Sequence, residues 1–358
     1  GHARVDPLAP RPRRRAVSRT LLVTGGSGYF GSLLAEQALA RGDRVRIFDL
    51  EAPVDPTDAE VVVGDVRDRA ALTEACDGVD AVLHNVAQVP LAKDHELFRS
   101  VNVGGTANVL LAARDAGVAK VVSTSSSAIF GIPEANPVTE DTPGRPLEAY
   151  GRAKLVAETL CAQAVEAGQD VTVVRPRTIL GHGRLGIMAI LFDFVAEGAP
   201  VFVFGRGDNR YQFVHSSDLA DAILRAADRE GPAIYNVGGD RPGTMRETLQ
   251  VLVDHAGTGS RVRSLPTGPA ARAMKALSGA GLLPFAPYHW LLYGESLWFD
   301  TSRAREELDW TPVHDNAGML IESYEWYLAH RVGLAERGGS HHQSPVPLGV
   351  LKLLKRWP

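Results

Sequence analysis

Leu21-Leu-Val-Thr-Gly-Gly-Ser-Gly-Tyr-Phe-Gly31 is the stretch whose reading decides the fold. It begins as a short apolar run, Leu21–Thr24, and halts at paired glycines. It then continues into 29–41, where Phe30, Leu33, Leu34 and Leu39 recur at helical spacing. A strand passing into a helix across Gly25, Gly28 and Gly31 is the pattern of a dinucleotide loop. Gly25 permits the tight turn, Gly28 lets a pyrophosphate approach the backbone, and Gly31 lets helix and strand pack closely. The helix N-terminus offers free N–H groups and partial positive charge to the phosphates. Asp49 closes the next apolar run, eighteen residues beyond Gly31. A carboxylate there accepts hydrogen bonds from ribose hydroxyls and repels a 2′-phosphate, so the expected cofactor is NAD rather than NADP. Arg46, three positions earlier in the strand, is less well placed to reverse that choice. Asp65-Val66, after the third strand, is a candidate for the adenine end.

Outward from this loop the same rhythm repeats. Strands are expected at Arg44–Asp49, Glu60–Gly64, Ala81–Ala87, Lys120–Ser125 and Val171–Arg175. Helical stretches around 68–76, 94–117 and 148–168 separate most of them. Such alternation predicts βαβ units in an α/β fold: a doubly wound parallel sheet of the Rossmann type, covered on both faces. We expect a leader at 1–18, the NAD-binding domain at 19–177, a mainly substrate-binding α/β lobe at 178–333 and a tail at 334–358. Past residue 177 glycine and proline become frequent. Helical pieces at 186–198, 216–229, 244–256 and 315–330 surround short strands such as Val201–Phe204 and Tyr235–Val237. That half reads as a smaller lobe over the sheet's C-terminal edge, where open α/β sheets bind ligands.

Tyr150-Gly-Arg-Ala-Lys154 sets a phenol and an ammonium four residues apart on one helix face. A phenol with pKa near 10 is a poor base at neutral pH. A fixed cation beside it, with the positive nicotinamide ring nearby, stabilises the phenolate and lowers that pKa.

With these residues in view, the sequence closely resembles the extended short-chain dehydrogenase/reductase family (NAD-dependent epimerase/dehydratase), especially its sugar-nucleotide 4-epimerases and 3β-hydroxysteroid dehydrogenase-like members. The resemblance runs from Thr20 to about Leu328. It rests on Thr24–Gly31, Asp49, Gly64-Asp65-Val66, His84 to Ala87, Asn102, Ser123–Gly131, Tyr150 with Lys154, Arg175-Pro176, Tyr235-Asn-Val-Gly-Gly and Glu307-Leu-Asp-Trp-Thr-Pro312. It implies cofactor contacts at Tyr29, Phe30, Ala87 and Pro176 beside the loop glycines, Asp49, Asp65, Val66, Tyr150 and Lys154. Counting five back from Gly131 it implies Ser126 as the catalytic hydroxyl, with Ser125 and Ser127 as neighbours one residue away and Ser127 as a substrate contact. Asn102 is implied to be mainly structural. Sugar-nucleotide 4,6-dehydratases of the family carry Asp-Glu after that serine. Here Ser127 and Ala128 stand there, which speaks against water elimination.

The substrate is expected to be a sugar nucleotide whose secondary alcohol is oxidised to a ketone. The alternatives are a sterol or isoprenoid alcohol and a non-catalytic NAD-binding protein. Sugar-nucleotide enzymes of the family usually place an arginine four residues before the residue matching His215. Tyr211 occupies that place, and Arg210 precedes it on the opposite strand face. Arg184, His182 and Arg206 are further candidates for anionic groups. Ile187, Ile190, Leu191 and Phe194 read as a helix core stripe, or as the wall of a lipid pocket.

Composition limits the partners. With 45% hydrophobic and 22% charged residues the chain is ordinary globular protein, and a net charge of −4 argues against nucleic acid. Cys76 and Cys161 are too few for a disulfide framework, nothing resembles spaced zinc ligands, and a reducing cytoplasm fits. No apolar run approaches the roughly 20 residues of a membrane span. The first twenty residues carry six arginines against one aspartate and read as a disordered basic leader; Gly1-His2 resembles a cleavage scar. At the other end, Val350, Leu351, Leu353, Leu354 and Trp357 would share one face of a short basic helix. That helix is expected to dock on its own protein or rest on an anionic membrane. The family resemblance implies a homodimer through helices 94–117 and 148–168, with Ala107, Leu110, Leu111, Val156, Leu160 and Ala164 at the seam.

Overall fold

The computed structural model describes residues 19–88, 95–183, 188–279 and 293–334. Arg184, Ile187, the leader and the C-terminal amphipathic segment lie outside the described residues.

Seven parallel strands make the central sheet: β1 (Thr20–Thr24), β2 (Arg44–Asp49), β3 (Glu60–Val63), β4 (Ala81–His84), β5 (Lys120–Thr124), β6 (Val171–Pro176) and β10 (Ala233–Val237). They lie in the order β3-β2-β1-β4-β5-β6-β10. The order reverses between β1 and β4, and in doubly wound sheets the ligand crevice opens at that switch point. β1, β4 and most of β5 and β6 are buried on both faces, which is why they read as unbroken apolar runs. Side chains still alternate: Leu21 and Val23 enter one core, and Leu22 enters the other. Helices α1 (Tyr29–Ala40) and α7 (Ser216–Asp228) cover the first face, and α2 (Arg69–Ala75), α4 (Thr106–Asp115) and α5 (Ala149–Glu166) the second.

The expected helix at 94–117 is interrupted. His95–Leu97 (α3) runs into a π-helical turn, Phe98–Gly105, before α4 begins. The wide turn directs Asn102 back onto the loop after β4, where its amide donates to Gln88 O at 3.0 Å and accepts from Gln88 N at 2.7 Å.

One strand must be moved. Tyr235–Val237, read from sequence as part of the smaller lobe, belongs to β10 and pairs in parallel with β6 at the edge of the main sheet. Its Tyr235 ring is fully buried, and the hydroxyl donates to Glu307 at 2.7 Å. The sequence had shown only a short apolar run after a glycine-rich region, which does not reveal its sheet.

The smaller lobe holds two two-stranded pairs. β7 (Thr178–Leu180) pairs with β9 (Phe213–His215), and β8 (Val201–Phe204) pairs with β11 (Val262–Leu265). Around them pack α6 (Met188–Ala196), α8 (Met245–Ala256) and the helix Asn316–Leu334. Ile190, Leu191 and Phe194 join Phe192, Leu252 and Tyr324 in the lobe's core. The apolar stretch is therefore a core stripe.

Among the described residues no helix is long and apolar enough to cross a membrane. The expected dimer seam divides. Leu110 and Ala164 are buried in the chain's own core, Val156 is exposed, and Ala107, Leu111 and Leu160 are half-buried.

Candidate active site

The glycine loop joins β1 to α1 at the switch point. Gly25 has φ +75°, and a Cβ on it would lie 3.1 Å from Val86 N in the loop after β4. A Cβ on Gly31 would stand 1.9 Å from Gly25 O, so helix and turn can meet only at glycine. Gly28 differs: its nearest neighbour would be Gly25 O at 3.4 Å, ordinary contact. The protein itself does not demand glycine at 28, which fits a ligand lying on that backbone. The first turn of α1 has no side-chain cap and no acidic residue, so its N–H groups keep their positive character.

Asp49 sits at the end of β2, accepting from Ser27 N at 2.9 Å and Leu50 N at 2.7 Å. Its carboxylate is thereby held beside the loop with acceptor capacity left over. Arg46 is committed elsewhere, to Glu60 at 2.8 Å and to the carbonyls of Ala75 and Asp77. Asp65 pairs with Arg67, whose hydrogen bonds hold its carboxyl below the ordinary range. Val66 is buried against Gly105. Tyr29 is half-buried, with its hydroxyl 3.2 Å from Ser216 Oγ, and Phe30 packs on the main core. Ala87 is half-buried beyond β4, and Pro176 is buried as the last residue of β6. His84 is structural. Its Nδ1 meets Thr24 Oγ1 at 2.8 Å and its Nε2 meets Thr106 Oγ1 at 3.0 Å, and burial lowers its pKa to about 3.

Three consecutive serines follow β5, and the structure separates them. Ser125 donates to Glu158 at 2.5 Å, inside a buried network in which Arg175 pairs with the same carboxylate at 2.7 Å. Ser127 is also buried, its hydroxyl accepting from Arg177 at 2.7 Å. In this structure the side chain expected to touch substrate is turned to Arg177. Ser126 alone stays half-exposed, its oxygen accepting from Ala128 N at 3.1 Å while its proton is free to be donated.

Tyr150 and Lys154 lie on α5, whose start is capped by the Glu148 carboxylate, accepting from Tyr150 N and Gly151 N at 2.6 Å each. A Cβ on Gly151 would be 2.4 Å from Ala128 O. That close approach brings Tyr150 onto the turn that carries Ser126. Lys154 is buried and donates to Thr124 O, at the end of β5, at 2.8 Å. Burial lowers its pKa to about 8. Lys154 at Thr124 O and Gly151 against Ala128 O thus hold the start of α5 against the end of β5 and the turn after it.

The profile of the NAD dependent epimerase/dehydratase family matches residues 21–238. The chain belongs to that family. It is 51% identical over 340 residues to the uncharacterised protein y4nG of Sinorhizobium fredii, covering 94% of this chain and 86% of that one. It is 34% identical over 231 residues to the human sterol-4-alpha-carboxylate 3-dehydrogenase (decarboxylating), covering 62% of each. Among solved structures, a UDP-glucose 4-epimerase from Stenotrophomonas maltophila with bound NAD and formylated UDP-arabinopyranose superposes with TM-score 0.73. The two share 24% identity over 88% of this chain and 99% of that one. Family members use NAD, and the glycine cradle, uncapped helix and Asp49 fit that cofactor.

On the substrate side, Arg210 is exposed, with its backbone N–H bonded to Ser296. Tyr211 is half-buried, and its hydroxyl lies 2.8 Å from Thr178 Oγ1. Sequence reasoning missed Arg177. It is 1% exposed, sits 4.6 Å from the Tyr211 ring centre and 5.7 Å from that of Phe299, and makes no ion pair among the described residues. Its Nε and Nη2 have no hydrogen-bond partner among the described residues. The only signal was a second arginine directly after Arg175-Pro176, a residue type normally read as surface.

Proposed function

We propose that this enzyme oxidises a secondary alcohol of a sugar nucleotide reversibly to a ketone, with Ser126, Tyr150 and Lys154 as its catalytic residues. The observation that supports this reading is the sorting of the serines: Ser125 and Ser127 are buried in other bonds, and Ser126 alone stays half-exposed, on the turn against which the start of α5 packs. NAD, when bound, supplies the hydride acceptor. Ser126 donates to the substrate oxygen and fixes the alcohol, while Tyr150 removes its proton as the C–H bond breaks and returns one in the reverse direction. Lys154 is largely protonated at neutral pH, favours the phenolate by its charge, and is available to hold the nicotinamide ribose. Asp49 binds the adenosine ribose, with Asp65 and Val66 toward the adenine. The same residues serve epimerisation, in which hydride returns to the other face, and net oxidation.

The sugar-nucleotide class is supported by Arg210 at the lobe surface, by Arg184 in the sequence, and by the UDP-sugar bound to the structural neighbour. A sterol or isoprenoid alcohol is the second reading. Tyr211 in the place of an arginine favours it, as does the similarity to the human sterol dehydrogenase. We extend the proposal to a homodimer through Val156, Leu111 and Leu160.

The test pairs Tyr150→Phe with substrate screening. The variant should lose activity by about 10²–10⁴-fold and keep NAD binding by calorimetry; normal turnover would sink the mechanism. UDP-, dTDP- and GDP-sugars, followed by mass spectrometry and NMR, should yield a keto or epimerised sugar. NADH accumulating with a sterol or terpene alcohol, and no change in any sugar nucleotide, would overturn the substrate class.

A further inference from the structure

Four side chains from four separate segments meet at the end of β9. Glu322, on the helix Asn316–Leu334, is the hub. Its Oε1 lies 2.7 Å from His182 Nε2 and 3.3 Å from His215 Nε2, and its Oε2 lies 3.8 Å from His314 Nε2. The ligand atoms of His215, His314 and Glu322 all fall within 4.8 Å of one another. We propose that His182, His215, His314 and Glu322 form a binding site for Zn²⁺.

The second shell supports this reading. A histidine that ligates a metal through one ring nitrogen usually donates the other N–H to a fixed acceptor. His314 Nδ1 lies 3.0 Å from Asp218 Oδ2, a buried carboxylate that also accepts from Val313 N and His314 N. His215 Nδ1 lies 2.6 Å from Ser217 Oγ and also accepts from Ser217 N at 3.2 Å. Ligation through Nε2 would move the ring proton to Nδ1, toward Ser217 Oγ, at the expense of that backbone bond. Both rings therefore turn Nε2 toward Glu322. His215 Nε2 is buried and, 3.3 Å from the carboxylate, makes no hydrogen bond among the described residues. That nitrogen, in a side chain more than nine-tenths buried, meets Glu322 off hydrogen-bond geometry and faces the cluster centre.

The loop bearing His182 is fitted to the site. Gly181 has φ +144°, and a Cβ there would stand 2.3 Å from Ser216 Oγ and 3.3 Å from His215 Nε2. Only glycine lets the loop pass close enough to bring His182 in. Three imidazoles and one carboxylate are a set that borderline-soft Zn²⁺ accepts in tetrahedral geometry. With metal–ligand bonds of about 2.0–2.1 Å, tetrahedral ligands sit about 3.3 Å apart; His182 and His215 stand 2.7 and 3.3 Å from Glu322 Oε1, while His314 is 3.8 Å from the other oxygen. The His215 and His314 rings now stack 3.9 Å apart at 25°, so metal uptake fans them open. Four protein ligands make a closed, structural site. The ion would tie the helix Asn316–Leu334 and the loop 181–183 to the strand end beside Tyr29 in the cofactor helix. His182, exposed over 60% of its side chain, leaves an entry path.

The experiment uses the full chain with His2, His341 and His342 replaced by alanine, so that terminal histidines take up no metal. The protein is stripped with EDTA and titrated with Zn²⁺ by calorimetry, with bound metal counted by mass spectrometry. One Zn²⁺ per chain is expected, with a rise in Tm on loading. Co²⁺ in its place should give the intense visible bands of a tetrahedral ion. Glu322→Gln and His314→Ala should each weaken Zn²⁺ binding by about tenfold or more, with far-UV circular dichroism and NAD titration reporting the fold. His182→Ala alters an exposed side chain, leaves the fold untouched, and should weaken binding too. No uptake, uptake indifferent to all three substitutions, or a weak octahedral Co²⁺ spectrum would overturn the proposal.

Discussion

Replacing Lys154 with methionine should make the protein more stable at neutral pH while removing its activity. Lys154 is 6% exposed, and its nearest carboxylate influence is Glu158, already paired with Arg175. Burial lowers its pKa from 10.5 to about 8, which at about 1.4 kcal/mol per pH unit amounts to about 3 kcal/mol against folding. Methionine has a similar length and no charge to desolvate. It forfeits the hydrogen bond to Thr124 O, worth about 1 kcal/mol. The variant should therefore gain about 2 kcal/mol at pH 7. The advantage has a defined pH window. Below about pH 8 the lysine is protonated in both the folded and unfolded chain, and the cost is present in full. Between about 8 and 10.5 the unfolded chain holds a proton that the folded one has released, so wild-type stability rises with pH relative to the variant. Above 10.5 both forms are neutral and the cost is gone. Urea unfolding of both proteins, without cofactor, at pH 6.5, 7.5, 9 and 10 measures this. A variant less stable than wild type at pH 7, or a difference flat across the range, would refute the reasoning.

Two further pairs of substitutions separate ligand-driven from structural demands. Gly28→Ala should fold with an unchanged Tm and bind NAD at least about tenfold more weakly, because its Cβ meets only ordinary contacts within the chain. Gly31→Ala should destabilise the domain itself, since its Cβ would overlap Gly25 O; equal melting of the two variants would reject that division. Ser126→Ala should lower kcat by about a hundredfold or more with little change in Tm. Ser125→Ala should cost about 1–3 kcal/mol by leaving Glu158 short of a donor, yet retain most activity. A reversal of the two outcomes in kinetics and melting would move the catalytic hydroxyl to Ser125.

The cofactor half was legible because its constraints are local. Gly31 is forced by Gly25, six residues earlier in the same loop, and Asp49 ends a strand whose first four residues alternate polar and apolar. Tyr150 and Lys154 share a helix face by spacing alone. What stayed hidden depends on contacts between distant segments. β7 and β9 are three residues each and carry no periodicity to read. β10 reads as one more short apolar run until its pairing with β6 is known. The choice of Ser126 over its neighbours rests on partners at Glu158 and Arg177, thirty to fifty residues away. The histidine and glutamate cluster draws on residues 182, 215, 314 and 322, so no ligand spacing could announce it.

Arg177 and Tyr211 are best understood as one feature. The resemblance to sugar-nucleotide enzymes leads one to expect an arginine at 211, and a tyrosine stands there. Beneath that ring, 4.6 Å from its centre, lies the buried guanidinium of Arg177. A second guanidinium at 211 would face it in a half-buried setting with no carboxylate paired to either among the described residues. Two like charges about 4 Å apart there repel by about 4 kcal/mol. A tyrosine ring instead offers its electron-rich face to the cation, and its hydroxyl closes on Thr178. The positive charge expected on the strand before His215 has thus moved one layer inward, to the residue after Pro176. There Ser127 holds one of its nitrogens, and the aromatic faces of Tyr211 and Phe299 flank the rest. The same arrangement explains why Ser127 turns away from the cleft: its oxygen is the one acceptor this buried cation has among the described residues.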